Sequence, residues 1–264
     1  MKLSISNIAW EKEYDEEMYS YLNINKIDGI EIAPTRIFEV DPYIELKGAK
    51  EYANYIKDKY SLEISSMQSI WFGKTENIFN SEDERKDLIK YTKKAIDFAS
   101  EINCKNLVFG CPKNRNINNK ECDNINIAVE FFRVLGDYAL KKNTILAIEP
   151  NPSIYGTNFI NTTKEAFDIV KLINNDGIKV NVDLGTIINN EEDLSILDEN
   201  INLINHIHIS EPYLEKIQIR EIYKELSTIL KCNNYNKYVS IEMKNLNNLD
   251  SIKDIISYIM KIFK

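Results

Sequence analysis

The sequence AIEPNP at 147–152 is followed along the chain by NVDLGT at 181–186, HIHISE at 206–211 and SIEMK at 240–244. In each segment, a short run rich in apolar and β-branched residues ends close to an ionisable side chain. Most of these runs are nearly continuous in apolar residues, which is typical of strands buried on both faces of a parallel sheet. We therefore predict a buried strand at each segment, with a polar group at its carboxyl end.

The same alternation extends over the whole chain. Longer amphipathic stretches separate the short apolar runs, which is the pattern of successive βα units rather than of a sandwich or a helix bundle. Dividing 264 residues among eight runs leaves about 33 residues for each unit, enough for a strand, a helix and two short loops. The eight predicted strands are Leu3–Ala9, Gly29–Ala33, Glu63–Ser69, Asn106–Gly110, Ile145–Glu149, Lys179–Asp183, His206–Ser210 and Tyr238–Glu242.

Three of the amphipathic stretches carry the clearest helix signals. In Ser81–Ile102, the hydroxyl of Ser81 can cap the helix start, acidic residues fill the first turn, and apolar residues recur at helical spacing. Asn124–Ala139 and Ser251–Phe263 show similar spacing. These three stretches predict helices between strands.

The fold class follows from the alternation and from the position of the polar residues. A doubly wound open sheet would show the same alternation, but a barrel collects its functional groups at the carboxyl ends of its strands, as here. The sequence has no Pro- or Gly-rich linker, and without a GxGxxG or Walker-type loop nucleotide binding loses its main support. We predict a single-domain α/β protein, a (β/α)8 TIM barrel formed by residues 1–264.

The composition excludes several classes of protein. A net charge of −8 argues against a nucleic-acid partner. No run approaches the ~20 apolar residues of a membrane span, and the N-terminus lacks a signal-peptide pattern, so we expect a cytoplasmic protein without membrane association. The oligomeric state stays open, a homo-oligomer included. The cysteines lack a CxxC pair and are expected to be free thiols: Cys104, Cys111, Cys122 and Cys232.

Four strand-end residues are each separated by about one βα unit: Glu149, Asp183, His208 and Glu242. Consecutive barrel strands are neighbours, so their last residues converge on one rim. A single carboxylate there is commonly a helix cap or part of an ion pair, but four unrelated caps would rarely fall at the same end of four successive strands. Three carboxylates and one imidazole suit Mn2+, with Mg2+ or Co2+ as alternatives. We predict one divalent metal ion as the cofactor.

The quartet carries a family resemblance that covers essentially the whole chain. The sequence resembles the xylose isomerase-like barrel superfamily, in the branch of sugar phosphate isomerases and epimerases. Three further segments resemble a sub-branch of this group: ISNIAW at 5–10, GIEIAP at 29–34 and FGCPKNR at 109–115.

The resemblance implies a role for each member of the quartet. In the ketose 3-epimerases of the superfamily, a Glu, Asp, His, Glu quartet on the last four strands binds one metal ion, and its two glutamates exchange the substrate proton. By this resemblance, Glu149 and Glu242 would be both metal ligands and catalytic acid/base residues. Asp183 and His208 would mainly hold the ion.

Three positions depart from the ketose 3-epimerase pattern. Those enzymes carry a Glu, a His and an Arg at positions that are Tyr155, Thr186 and Leu214 in this chain. The residues that grip a free ketose are therefore missing, although the metal quartet is complete. The departure leaves the substrate open and argues against naming the protein a ketose 3-epimerase.

Eight further residues are predicted to contact the substrate. Most lie at or just past a strand end, and Lys113 and Arg115 could bind a phosphate or carboxylate group, so the sugar-like substrate could be anionic. A solvated surface position is the alternative for most of them, and for His206 the alternative is a core position or a supporting role beside a ligand. The set is Glu31, Gln68, Lys113, Arg115, Asn151, His206, Glu211 and Lys244.

The predicted chemistry is proton transfer next to a carbonyl group. A divalent ion polarises the carbonyl, and a positioned carboxylate then removes the proton to give an enediolate. We predict a metal-dependent isomerase or epimerase of a sugar, sugar phosphate or related polyol. The alternatives are a metal-dependent dehydratase or lyase and a non-catalytic sugar-binding barrel. A DNA-repair endonuclease of this superfamily would need a zinc cluster with many histidines, and the chain has 2.

Overall fold

The computed structural model describes residues 1–118 and 123–264. Within them, eight parallel strands close into a barrel in chain order, and the last strand pairs with the first. The strands are β1 (Lys2–Ser6), β2 (Gly29–Ile32), β3 (Glu63–Met67), β4 (Leu107–Phe109), β5 (Leu146–Ile148), β6 (Ile178–Asp183), β7 (Ile204–Ile209) and β8 (Tyr238–Ile241).

Helices flank the barrel. In the described residues, none is long and apolar enough to cross a membrane. Short 3-10 turns also occur, of which Asn7–Ala9 follows β1 directly. The α-helices are α1 (Asp15–Ile24), α2 (Pro34–Ile37), α3 (Leu46–Tyr60), α4 (Glu82–Glu101), α5 (Asn124–Lys141), α6 (Thr163–Ile173), α7 (Leu184–Asn190), α8 (Ser195–Glu199), α9 (Ile222–Cys232) and α10 (Leu249–Phe263).

The predicted fold class is confirmed, and each predicted strand overlaps an observed one. The first strand ends at Ser6, earlier than predicted, because the chain turns into the 3-10 helix at Asn7–Ala9. The three predicted helices correspond to α4, α5 and α10. The predicted cap of α4 is present, since the Ser81 hydroxyl oxygen accepts a hydrogen bond from the Glu84 backbone N–H at 3.2 Å.

The predicted free thiols lie in different environments. Cys104 is buried, Cys111 is half-buried and Cys232 is exposed, and all three are free. Cys122 lies outside the described residues.

The apolar core lies between the barrel and its helices. The ring of Trp71 packs edge-on against Phe109 of β4, with ring centroids 4.8 Å apart, and Phe109 in turn packs against Phe132 of α5 at 4.9 Å. All three rings are almost fully buried. Burial of this size stabilises the fold by roughly 1.5–3 kcal/mol for each large side chain.

The inside of the barrel, in contrast, is polar. A TIM barrel is usually filled by branched apolar residues, whereas here polar residues from six strands share the interior. These groups are closed off from bulk solvent, and hydrogen bonds to protein groups or to buried water offset the cost of burying them. Eight of them are at most 2% exposed: Ser4, Ser6, Glu31, Ser66, Asn181, His206, His208 and Ser240.

Two register shifts occur beside interior polar residues. One lies between Ile30 and Glu31 where β2 pairs with β3, and the other lies between Val180 and Asn181 where β6 pairs with β7. In both places the partner strand carries one extra residue, Ser65 in β3 and Asn205 in β7, and bulges of this kind are common next to functional sites. Glu31 and Asn181 both end up in contact with His208 in the barrel interior.

We expect Gly177→Ala to destabilise the fold. A Cβ at position 177 would lie 2.1 Å from the carbonyl oxygen of Gly136 in α5, so two backbone segments would have to separate. The expected loss in free energy of unfolding is about 1–3 kcal/mol, measured by chemical denaturation. The neighbouring Asp176→Ala is the matched control, since its exposed side chain should change stability by no more than about 0.5 kcal/mol. Equal effects of the two changes would contradict the close approach.

Candidate metal centre

Four ionisable side chains meet at the carboxyl ends of the last four strands. Glu149 follows β5, Asp183 ends β6, His208 lies near the end of β7, and Glu242 follows β8. One ligand atom from each lies within 4.8 Å of the ligand atoms of the other three, and all four residues are buried. The structure therefore brings together the quartet that the sequence predicts, and we call it the quartet below.

Asp183 combines two roles that the sequence presented as alternatives. It is the N-cap of α7, and its Oδ2 accepts hydrogen bonds from the Thr186 backbone N–H at 2.7 Å and from the Thr186 hydroxyl at 2.8 Å. Its Oδ1 accepts a hydrogen bond from the Ser210 hydroxyl. The cap fixes the carboxylate of Asp183 in place, close to the other three side chains of the quartet.

His208 stands at the centre of the cluster. Its Nδ1 lies 2.9 Å from Glu149 Oε1 and 3.0 Å from Glu242 Oε2. Its Nε2 lies 2.9 Å from Glu31 Oε2, on the barrel-interior side. The Asn181 amide also donates a hydrogen bond to Glu149 Oε1 at 2.7 Å. The imidazole therefore presents Nδ1 to the quartet and Nε2 to the interior.

The electrostatics of the quartet fit a divalent cation. Burial, with the charge of Glu149, raises the pKa of Asp183 to about 6, and burial raises the pKa of Glu242 to about 7 despite the attraction of His208. Burial alone would lower the pKa of His208, but the carboxylates of Glu242 and Glu31 outweigh it and raise that pKa well above its usual value. Three buried carboxylates share one imidazole, so a bound cation would stabilise their ionised forms.

A small cavity of about 220 Å³ opens above the quartet. Gly110, directly after β4, forms part of its wall. A Cβ at this position would lie 2.6 Å from Glu149 Oε2, so glycine leaves the space that the carboxylate occupies. The lining residues are Gln68, Ser69, Val108, Gly110, Cys111, Pro112, Glu149, Asn151, Tyr155, Asp183, Leu214 and Glu242.

Two of the predicted substrate contacts, Gln68 and Asn151, line this cavity. The Gln68 amide donates a hydrogen bond to the Ser6 hydroxyl at 3.0 Å, and the Asn151 amide lies 3.3 Å from Glu149 Oε2. Both side chains are therefore held in place by the protein at the edge of the space that a substrate would enter.

The three predicted cationic contacts lie outside the cavity wall. Arg115 is fully buried, and its guanidinium donates hydrogen bonds to the Glu149 backbone carbonyl and to Asn151 Oδ1, both at 2.8 Å. It supports the loop after β5 rather than facing the cavity. Lys113 is exposed, and Lys244 is exposed in an ion pair with Glu215. Direct binding of an anionic substrate by these residues stays a prediction that this geometry does not favour.

The other three predicted contacts also lie elsewhere. Glu31 and His206 are buried inside the barrel, below the quartet. Glu211 is 3% exposed, and its carboxylate accepts hydrogen bonds from the Arg220 guanidinium at 2.6 and 2.7 Å and from the Tyr223 hydroxyl at 3.0 Å. Its charge is neutralised within the protein, so substrate contact by Glu211 has no support in this arrangement.

Several residues at the site are not predicted by the sequence pattern. Asn181 and Ser210 hydrogen-bond to quartet carboxylates, and Gly110 and Cys111 form the cavity wall. Asn181 stands two residues before Asp183 on the same strand, so the period of two that places side chains on one face of a strand could have identified it. Gly110 is the last residue of a predicted strand, but nothing in the sequence shows that the Glu149 carboxylate occupies the space that a side chain at position 110 would fill.

A second, larger cavity of about 780 Å³ lies at the same end of the barrel, beside β1 to β3. It shares Ser69 with the small cavity. Its wall includes Phe72, which is 70% exposed, and the acidic residues Glu39 and Asp41. The barrel mouth thus has a small sector at the quartet and a wide sector beside it.

A family model described as xylose isomerase-like TIM barrel matches residues 25–262. The chain belongs to this family. The match contains all four quartet residues and every strand except β1.

Solved structures with the same fold include enzymes of several kinds. The apo form of 3-keto-D-glucoside 4-epimerase from E. coli is 18% identical, with a TM-score of 0.79 over 99% of each chain. A D-psicose 3-epimerase from Clostridium cellulolyticum H10, solved with D-tagatose, is 16% identical, with a TM-score of 0.78 over 100% of each chain. A family 2 AP endonuclease from Brucella melitensis is 20% identical, with a TM-score of 0.70 over 95% of this chain and 96% of that one. No curated protein matches the chain by sequence.

We expect stabilisation by Mn2+ to increase with pH. The raised pKa values of Asp183, Glu242 and His208 contribute stability to the metal-free protein at low pH, and this contribution is lost as pH rises through about 6 to 7 and above. A cation competes with the same protons, so it binds better as they leave. Thermal melts of chelator-treated protein with and without Mn2+ between pH 5 and 8 should show the difference in Tm widening. A difference that shrinks toward pH 8 would contradict this electrostatic account.

Proposed function

We propose that the protein is a divalent-metal-dependent sugar isomerase or epimerase that uses Mn2+, with Mg2+ or Co2+ as alternatives. The observation that carries the proposal is the quartet: two glutamates from separate strands, one aspartate and one histidine nitrogen meet at the floor of a small cavity. Three oxygen ligands and one imidazole suit these ions better than a thiolate-binding metal. The family membership and the sugar epimerases among the similar folds support the same assignment.

In the proposed mechanism, Glu149 and Glu242 handle the substrate proton. A divalent ion bound to the quartet would supply Lewis-acid polarisation of the substrate carbonyl. The Glu149 and Glu242 carboxylates both lie at the wall of the cavity, where a positioned carboxylate can accept a proton from the substrate and return it. Asp183, fixed by Thr186 and Ser210, mainly holds its position in the ligand set.

The product depends on which carbon receives the proton and from which face. If one glutamate removes a proton and the other returns one to the opposite face of the same carbon, the product is an epimer. If the proton returns to the neighbouring carbon, the product is the aldose or ketose isomer. Loss of a hydroxyl group in place of proton return would make the enzyme a dehydratase or lyase, which is the alternative chemistry for the same site.

The cavity favours a neutral, hydroxyl-bearing substrate. Among its described lining residues, none is Lys or Arg, whereas Gln68 and Asn151 offer amide groups and Glu149, Asp183 and Glu242 offer carboxylates. Amides and carboxylates can hydrogen-bond to sugar hydroxyls. The proteins with similar folds that are named 3-keto-D-glucoside 4-epimerase and D-psicose 3-epimerase act on compounds of this chemical type.

The departures from the ketose 3-epimerase pattern have visible consequences at the cavity. Tyr155 and Leu214 stand at positions where the resemblance places Glu and Arg in the ketose enzymes. Both residues line the cavity. Tyr155 also accepts a hydrogen bond from the Tyr213 backbone N–H at 2.6 Å, which ties the loop after β5 to the loop after β7. We therefore expect the substrate to differ from a free ketose.

Two other classes of function are less well supported. A non-catalytic sugar-binding barrel would not require three buried carboxylates around one imidazole, because such a cluster is electrostatically costly. A DNA-repair enzyme is disfavoured although one similar fold is named an AP endonuclease. The chain carries a net charge of −8, and its only two histidines both lie inside the barrel.

We expect Glu149→Gln and Glu242→Gln to separate metal binding from catalysis. An amide keeps an oxygen ligand but cannot accept the proton, so each variant should retain metal while losing about 100-fold or more in turnover. In deuterated water, the native enzyme should incorporate deuterium at the reacting carbon, and each variant should slow this exchange. Turnover and NMR-detected exchange with a panel of keto-sugars and aldoses would measure both effects.

Glu63→Gln serves as the control for these variants. Glu63 begins β3 at the opposite end of the barrel, where its side chain is half exposed and pairs with Lys2. Its replacement should leave turnover and exchange unchanged. Turnover without any solvent deuterium in the product would indicate a hydride shift, which would remove Glu149 and Glu242 from the acid/base role while leaving the metal site intact.

A further inference from the structure

We propose that Glu31 is a positioning residue for the metal centre, which fixes the ring orientation and tautomer of His208 from inside the barrel. The proposal rests on the metal site of the proposed function and goes beyond it, because Glu31 is not a member of the quartet. Glu31 would not touch the metal ion or the substrate. It would act through His208 alone.

The contact between the two side chains is direct and closed off from bulk solvent. Glu31 Oε2 lies 2.9 Å from His208 Nε2, and both residues are 0% exposed. An ionised carboxylate can only accept hydrogen bonds, so it requires the proton on Nε2 of a neutral imidazole. In the metal-bound protein, Nδ1, which lies 2.9 Å from Glu149 and 3.0 Å from Glu242, would then carry the lone pair that faces the quartet.

This arrangement matches what a histidine ligand needs. A metal-binding imidazole generally donates its second N–H to a carboxylate or carbonyl, which fixes the ring and raises the basicity of the ligating nitrogen. A carboxylate buried without water is costly unless it is paired and hydrogen-bonded. Pairing with His208 is therefore an explanation for the presence of Glu31 in a closed interior.

The fold brings Glu31 to His208 from a distant part of the chain. The two residues are 177 positions apart and belong to β2 and β7, which are not neighbours in the barrel. β2 pairs with β1 in a regular register, which places Glu31 beside Ser6. The contact with His208 therefore crosses the inside of the barrel.

His206 forms the third side of this interior cluster. Its Nε2 lies 3.2 Å from the same Glu31 oxygen, but without the direction of a hydrogen bond, and its ring packs edge-on against His208 with centroids 5.3 Å apart. Glu31, His206 and His208 are close enough to hold a cation themselves. An ion there would compete with the Nε2–H that the proposal requires, so counting bound ions distinguishes the two arrangements.

The test measures metal affinity and the state of His208 in the full-length protein. Calorimetric titration of metal-stripped protein with Mn2+ should give one ion per chain, and Glu31→Gln should weaken its affinity about 10- to 100-fold. Asn106→Ser is the matched control, because Asn106 is another buried polar residue. Its amide donates a hydrogen bond to the Ser66 hydroxyl at 2.9 Å and has no hydrogen bond to His208. This substitution should lower Tm without changing the affinity for Mn2+.

NMR of the native protein gives a readout that needs no variant to fold. The sequence has 2 histidines, so the ring nitrogens of His208 can be assigned in protein loaded with diamagnetic Mg2+. We expect a proton on Nε2 and none on Nδ1. A proton on Nδ1 with Nε2 bare would overturn the proposal.

The remaining outcomes separate this proposal from the proposed function. Native affinity in Glu31→Gln, together with its loss in Asp183→Asn, would refute the positioning role and leave the metal-dependent function standing. Two ions in the native protein and one in Glu31→Gln would make Glu31 a ligand and refute the proposal in that way. Failure of the native protein to bind any divalent ion would refute both.

Discussion

The contacts of a single imidazole determine how the functional end of this barrel is built. His208 lies between two carboxylates of the quartet on its Nδ1 side and the carboxylate of Glu31 on its Nε2 side. Charges held this closely away from bulk solvent are costly unless they are paired, and one imidazole cannot balance all of these carboxylates. The contacts of His208 therefore link the mouth of the barrel to its interior, and they set the orientation in which a cation could be bound.

The polar interior follows from this arrangement. A barrel filled with branched apolar side chains could not solvate the back of His208 or the carboxylate of Glu31. Serine and asparagine side chains occupy the interior instead, and some bond to one another, as Asn106 does with Ser66 and Asn205. The apolar packing that stabilises the fold is displaced to the layer between strands and helices, where aromatic residues such as Trp71 and Phe109 meet.

The residues that meet at the strand ends were predictable from the sequence, and the contacts that cross the inside of the barrel were not. The apolar runs and their spacing located every strand and placed Glu149 and Asp183 at one rim. The side chain that the Glu31 carboxylate meets is not visible in a local pattern, because it lies 177 positions further along the chain. The role of Arg115 was equally hidden, because a basic residue after a strand can face a cavity or hydrogen-bond to a neighbouring backbone. Here the Arg115 guanidinium donates a hydrogen bond to the backbone carbonyl of Glu149.

The two sectors of the barrel mouth differ in what they can vary. The quartet belongs to β5 through β8, whereas the wide sector is formed largely by the loops after β1 to β3, and the two meet at Ser69. Loops accept sequence change more readily than the strands that hold a ligand. Substitutions at exposed positions such as Phe72 would therefore change the wide sector while the strands that carry the quartet stay constant. Under the proposed function, selectivity could then be engineered separately from reactivity.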